Sequence, residues 1–401
     1  MTKFLISILV LSFLSSCALI VEADKGQEDI VLKEKSKNDF MCDQNHKSQL
    51  LTQTNESDEL LSKLKLKNKL TSTESFVVLV LAEMLYSPYI FSPDAKMQIL
   101  EIEGDKRSHA FYNGESNLIW TLNDILKNDK KSRSLYALAT LVEKSAPDRI
   151  SISDRFSTFL QEYKDKLYQI PSYKKYYFRA GQILKENETI PKVNLASLVS
   201  KYLSKKVKPE VQHYLFDYKT DKDNYKCNFD LNIYDNSIYM VSDTTRVFRG
   251  QIGLQDGKKA LYATISFTPQ LDSDRSDFLF YSSKKVTPSG LCFNTNNNNV
   301  FMSSKGPDPG QLLHKHIVKM TNVHNEQDLE RALTAPRFLI LVPPKRLVLE
   351  TKRTKIEELE YLQGLNMPIY HTDNIGNIWG SYDNRLFKDF RSRDQLKCSS
   401  L

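Results

Sequence analysis

Near Tyr225 the apolar pattern of this chain changes from the 3.6-residue spacing of helices to the two-residue alternation of strands, and that switch sets the fold class. Upstream, Leu118, Leu122, Ile125 and Leu126 share one helical face, and Leu135, Leu138, Ala139 and Val142 share another. Phe156, Phe159, Leu160, Tyr163 and Leu167 make a third. Thr71-x-x-Glu74 has the form of a capping box and opens a core helix through the apolar run 76–82, which stops at Pro88 and is too short to cross a bilayer. Asn194 is the expected N-cap of a helix burying Leu195, Leu198, Val199, Tyr202 and Leu203. Downstream, Cys227, Phe229, Leu231 and Ile233 alternate with Asn228, Asp230 and Asn232, and Asp235-Asn236-Ser237 turns into a second strand over 238–241. Further strands are expected at 246–249, 260–268, 277–281, 338–342 and 347–349, with helical pieces at 326–333 and 356–362. The reading is an α+β multidomain chain: an all-α helical domain over 72–208, then an α+β domain over 209–401 with a mostly antiparallel or mixed sheet. The Asn-rich 294–299 and Gly306-Pro307-Asp308-Pro309-Gly310 mark a long loop in the second domain.

Ahead of these domains, residues 1–16 read as a signal peptide, with Lys3 as its basic start and an apolar run over 4–14 broken only by Ser7 and Ser12. The run ends in Leu14-Ser15-Ser16-Cys17, which resembles the lipobox of bacterial lipoproteins. The resemblance implies acylation of Cys17, palmitate among its chains, and a lipid anchor in the bacterial cell envelope facing the periplasm or the exterior. By resemblance to enterobacterial lipoprotein sorting, Ala18 in place of Asp after the Cys implies the outer membrane rather than the inner. With about 0.8 kcal/mol per buried CH₂, three acyl chains hold a protein on a membrane almost permanently. Residues 17–71, the acylated Cys and a stretch rich in Lys, Glu, Asp, Gln, Ser and Asn, are expected to be a disordered tether.

The charge, 56 basic against 49 acidic residues, is +7, and loss of Lys3 with the leader makes it +6. That is far from a nucleic-acid-binding balance, so no nucleic-acid partner is expected. Anionic headgroups, cell-wall polymers or an envelope protein are the expected counterparts. Besides Cys17 there are Cys42, Cys227, Cys292 and Cys398, an even number for an oxidising compartment. Their spacing has no Cys-x-x-Cys. Cys227 and Cys292, both in the strand-rich half, are the expected disulfide, while Cys42 falls in the tether.

No constellation of known chemistry stands out. His314, His316 and His324 form the one histidine cluster but have no Glu placed as in His-Glu-x-x-His, so no metal is expected. Ser289-Gly290 and Cys292 lack a motif tying them to His314 or His371, and neither a phosphate-binding loop nor a dinucleotide fingerprint is present, so no cofactor is expected. Residues 163–179 interleave Tyr163, Tyr168, Tyr173, Tyr176 and Tyr177 with lysines, and at helical spacing those aromatics are core and the lysines their solvated flanks.

Arg246-Val247-Phe248-Arg249-Gly250, followed by the Ser- and Thr-containing 260–269, is similar to the ADP-ribosyltransferase-like fold. By that resemblance Arg249 is the dinucleotide clamp, Ser266 or Thr268 the second motif, and Asp383 stands where a Glu belongs. The expectation from sequence is a membrane-anchored envelope lipoprotein with a binding or scaffolding role and no catalysis. The alternative is an exported enzyme, ADP-ribosyltransferase-like, with a pocket around Arg249.

Overall fold

The structure, a computed structural model, describes residues 40–43, 48–103, 106–112, 118–205, 211–213, 225–228, 233–234, 237–238, 240–241, 248–257, 259–267, 271, 280, 290–294, 297, 299–304, 312–314, 323–342, 345–364, 367–392 and 394–399. The chain begins with β1 (Ser48–Thr52), α1 (Asn55–Asn68), α2 (Ser72–Tyr86), β2 (Lys96–Glu103) and β3 (Lys106–Tyr112). A helical run follows: α3 (Leu118–Asn128), α4 (Leu135–Ser145), α5 (Asp154–Glu162), α6 (Lys164–Gln169), α7 (Pro171–Tyr177) and α8 (Leu195–Leu203). Next come β4 (Val211–His213), β5 (Tyr225–Asn228), β6 (Met240–Val241), β7 (Phe248–Asp256), β8 (Lys259–Phe267), β9 (Gly290–Asn294) and β10 (Val300–Ser304). The last elements are α9 (Glu326–Thr334), β11 (Phe338–Val342), β12 (Arg346–Glu350), α10 (Ile356–Gln363), β13 (Ile369–Thr372), β14 (Asn377–Tyr382), β15 (Arg385–Lys388) and β16 (Gln395–Ser399).

Two sheets stack face to face. The larger runs β16-β1-β7-β8-β2-β3-β4 and the smaller β15-β14-β10-β9-β5, every pairing antiparallel. Side-chain alternation builds the layers. On one face of the large sheet, Met97, Ile99, Ile252, Leu254, Leu261, Ala263, Ile265 and Phe267 pack on the helices. On its other face, Leu51, Leu100, Ile102 and Tyr262 meet Leu291, Phe293, Val300, Met302, Trp379 and Leu386 of the small sheet. Cys292, Phe301, Ile378 and Phe387 point outward from the small sheet onto Leu329 and Leu333 of α9 and Leu339 and Leu341 of β11. The order is helices, sheet, sheet, then α9 with the four-stranded sheet β6-β11-β12-β13.

The α+β class holds, and so do the local helix signals. Thr71 and Glu74 form the reciprocal capping box, and Asn194 caps α8. Helix α2 is buried from Thr73 through Tyr86, as an all-round apolar helix must be. No helix among the described residues is long and apolar enough to cross a membrane.

Three expectations need correction. The tether does not extend to residue 71: β1 lies between β16 and β7, and α1 buries Leu60, Leu61 and Leu64. Its apolar residues are few, but each lands on an inward face. The split at 208/209 does not separate the strands, because β2 and β3, inside the expected all-α region, pair in one sheet with β8. Asn294 and Asn299 are paired at the end of the β9–β10 hairpin, Asn294 N donating to Asn299 O at 2.8 Å, while 295, 296, 298 and 305–310 lie outside the described residues. The expected strand at 277–281 also lies outside them, apart from Phe280. So do the signal peptide and Cys17.

Cys42 is buried and disulfide-bonded to Cys398, with Cα atoms 5.5 Å apart. Cys292 is also disulfide-bonded, and the residue opposite it in register on β5 is Cys227.

Candidate active site

The interior between the sheets is apolar at one end and polar at the other. On the large sheet's inner face, Leu51, Leu100 and Tyr262 are followed, two residues along each strand, by the polar Gln53, Gln98 and Thr264. Gln251 pairs with Thr264, and Thr264 with Gln98; the Gln53 amide donates to Gln251 O at 2.9 Å. One step outward a second row reads Arg249, Ser266, Lys96. Gln53, Gln98, Gln251, Thr264 and Ser266 are all buried, between 0 and 6% exposed.

Contacts at the apolar end align the sheets. Tyr262 bonds Ser381, and Gln255 Nε2 donates to Asn384 O at 2.6 Å. Asn384 sits in the two-residue β14–β15 turn, where Asp383 and Asn384 take φ of +51° and +56°. Stepping back from the Tyr262–Ser381 contact at about 3.3 Å per residue, two residues bring the Gln251–Thr264 row level with Trp379, and two more bring Ser266 level with Asn377. Asn377 and Trp379 share the small sheet's inner face with Ser381 and are fully buried.

Several polar atoms on these inner faces have no hydrogen-bond partner: Gln53 Oε1, both amide atoms of Gln251, both of Asn377, and Trp379 Nε1. Each unpaired buried group costs about 1–3 kcal/mol. A stability-driven interior would place leucines there, so the polar end reads as a site for a ligand.

The support for Gln53 comes from a buried acid. Glu83 Oε1 accepts from Gln53 N at 2.9 Å, Thr54 N at 3.0 Å and Ser57 Oγ at 2.6 Å. Burial pushes its carboxyl up to about 7 in spite of these donors. Because the folded value exceeds the ordinary 4.5, the chain is most stable below pH 4.5 with respect to this group. Stability falls as pH rises from there to about 7, by roughly 3 kcal/mol. Glu83→Gln should abolish that slope in urea unfolding curves taken between pH 4.5 and 8; an unchanged slope would assign it elsewhere.

The residues expected from sequence are only partly united. Arg249 and Ser266 are register partners, but Asp383 lies in the turn at the far, apolar end, and Thr268 lies outside the described residues. The ADP-ribosyltransferase-like constellation therefore does not assemble. His324 and His371 are exposed, His316 lies outside the described residues, and no metal-holding group of His, Cys, Asp and Glu occurs among those described. In the 163–179 stretch, Tyr173 and Tyr177 pack around Phe280 while Lys164, Lys166, Lys174 and Lys175 are solvated. Sequence reasoning missed Gln53, Gln98, Gln251 and Asn377; the available signal was a polar letter at an inward position of an alternating strand.

No family model matches the chain, and no curated protein matches its sequence. Solved structures do share its fold. Cephalosporin acylase from Bacillus halodurans aligns with a TM-score of 0.63 at 9% identity, over 92% of this chain and 98% of that one. Two structures of LmbA proteins align at 0.63 and 0.64, with 8% and 7% identity, each over 90% of this chain and nearly all of their own. At such identities the likeness establishes the architecture. It corrects the expectation of a scaffold without catalysis, and with it the transferase alternative: a protein sharing this architecture almost end to end is an acylase.

Proposed function

We propose that the chain is an enzyme that cleaves or transfers an acyl group at an amide bond, with its reaction at the polar end of the sandwich. The observation that carries the reading is the set of buried, unpaired amide groups on the facing sides of the two sheets, toward the end that holds Ser266, in a fold shared with an acylase. Ser266 is the nucleophile by position. Its register neighbour on β2 is the half-buried Lys96, an amine on the same face that takes the hydroxyl proton and returns it to the leaving nitrogen. The carboxamides of Asn377 and Gln251 and the indole N–H of Trp379 supply donors for the oxyanion. The Cys42–Cys398 disulfide supports work outside a reducing cytosol, in keeping with export through the leader and anchorage at Cys17.

Ser266→Ala should keep its circular dichroism and lose on the order of 10³-fold or more in kcat/KM against a panel of acyl p-nitroanilides. A fully active Ser266→Ala would remove Ser266 from the reaction. Loss on Thr244→Ala or Thr245→Ala alone would shift the nucleophile to the residues preceding β7 in sequence. No turnover of any acyl amide would end the reading.

A further inference from the structure

Helices α4 and α8 each bury one face and leave the other in solvent. Leu135, Leu138, Ala139 and Val142 are the buried side of α4, and Leu195, Leu198, Val199 and Tyr202 that of α8. Ala196 N donates to Glu143 Oε2 at 3.1 Å and Lys192 Nζ to Glu143 O at 2.9 Å, so α8 starts beside the end of α4 and runs back along it. Between their outer sides lies an open groove of about 550 Å³, within the roughly 300–1,000 Å³ of small-molecule sites. From α4 it takes Tyr136, Thr140 and Lys144, each one turn beyond the last. From α8 and its C-cap it takes Ser197, Ser200, Lys201 and Ser204, and the short serines leave the space between the helices unfilled.

The lining defines a ligand chemistry. Tyr136, Thr140, Ser197, Ser200 and Ser204 bring hydroxyls, each able to donate and to accept. Thr140 and Ser204 donate to carbonyls of their own helices, at 2.9 and 3.0 Å, and keep their lone pairs for a ligand. The Tyr136 ring is 53% exposed and presents an apolar face beside these hydroxyls. Apart from that ring the one apolar side chain of the lining is Ala196, so the groove holds no pocket for the buried aromatic or aliphatic anchor that a protein partner depends on. A sugar matches it: the C–H face of a pyranose lies on an aromatic ring while its hydroxyls exchange hydrogen bonds with serine and threonine. Charge then selects among sugars. Lys144 and Lys201 are positive, and the single carboxylate, Glu143, is engaged by the backbone at the start of α8. A saccharide carrying acidic groups gains charge-assisted hydrogen bonds that a neutral one lacks.

We infer that this groove binds an acidic saccharide chain, with a sugar ring on Tyr136 and carboxylates at Lys144 and Lys201. The site takes no residue from the reaction proposed above, so the two readings stand or fall separately. Cellotetraose and its C6-oxidised counterpart, which has a carboxylate in place of each hydroxymethyl group, differ only at that carbon. Titrated calorimetrically into the full chain at pH 7.5 and low salt, the acidic tetramer should bind at least about tenfold more tightly than the neutral one. Tyr136→Ala should weaken the acidic tetramer by about tenfold or more. Lys144→Gln/Lys201→Gln should bring the two tetramers to equal affinity and remove the dependence on salt. All three side chains are exposed, so both variants should keep the parent Tm, and lost affinity then reports a lost contact.

Failure of the acidic tetramer to bind overturns the inference, as does a neutral tetramer that binds equally well. Unchanged binding in Tyr136→Ala would reduce the groove to a basic patch, and an acid preference surviving in the double lysine variant would place the charge recognition elsewhere; either result overturns it too.

Discussion

Asp389→Ala should lower the unfolding free energy by about 3–5 kcal/mol, the cost of stranding buried guanidinium groups without their counter-charge. Behind the small sheet, Arg337, Glu350, Asp389 and Arg391 form a network with side chains no more than 1% exposed. Arg391 grips both Glu350 oxygens at 2.8 and 2.6 Å, and Arg337 Nη2 donates to Asp389 Oδ2 at 2.5 Å. The same carboxylates receive main-chain donors: Ile378 N to Asp389 at 2.9 Å and Ile375 N to Glu350 at 2.7 Å. The network thus holds the start of β14, one residue from Asn377. Two positive and two negative groups cancel, so the cluster is structural, and removing one partner leaves an uncompensated buried charge.

Burial pushes the Asp389 carboxyl up, but Arg337, Arg391 and the backbone donors outweigh it and hold the group below its ordinary 3.8. Its contribution is therefore present above about pH 4 and lost as acid protonates it. Asp389→Asn should reproduce most of the loss at neutral pH and show little further acid dependence. At roughly 2.1 cal/mol/K per residue, the alanine variant should melt about 5 °C lower. A calorimetric Tm within 1 °C of the parent would mean that the network relaxes without cost.

Removing the Cys42–Cys398 bridge should cost about as much or more. The bond joins residues 356 positions apart. In the chain-entropy account a loop of that size contributes about 5–6 kcal/mol by restricting the unfolded chain. Cys42→Ala/Cys398→Ala should therefore lower Tm by about 6 °C under non-reducing conditions. A local effect should accompany it, because Cys42 N donates to Leu386 O at 2.9 Å and Cys398 pairs with Gln49 on β1. Hydrogen exchange should quicken in β1 and β16 before it does in β7 and β8. Equal melting of the oxidised and bridge-free forms would show that the first described residues are held by sheet pairing alone.

How much of this was legible beforehand depended on the range of the interactions. The capping box at Thr71 and Glu74, the buried faces of α3, α4 and α8, and the strands β11 and β12 were readable, because a helix or a patterned strand is specified by neighbours within a few residues. Helix α9 was readable for the same reason, with Asn325 capping it and Leu329 and Leu333 buried. The Ser266 position entered through a resemblance to the wrong fold, and its significance came from Gln251 and Asn377, which no local pattern distinguishes from solvent-facing residues.

Tertiary structure alone decided that residues 48–52 form an inner strand, since a five-residue segment has no stable pairing until β7 and β16 flank it. It alone chose Cys398 for Cys42, and it alone made Arg337, Glu350, Asp389 and Arg391 mutual partners across more than fifty residues of chain. Local sequence determined which segments could be helices or strands. Which strand lies beside which, and so which side chains are enclosed between the sheets, depended on backbone hydrogen bonds and side-chain contacts that exist only once distant segments have packed.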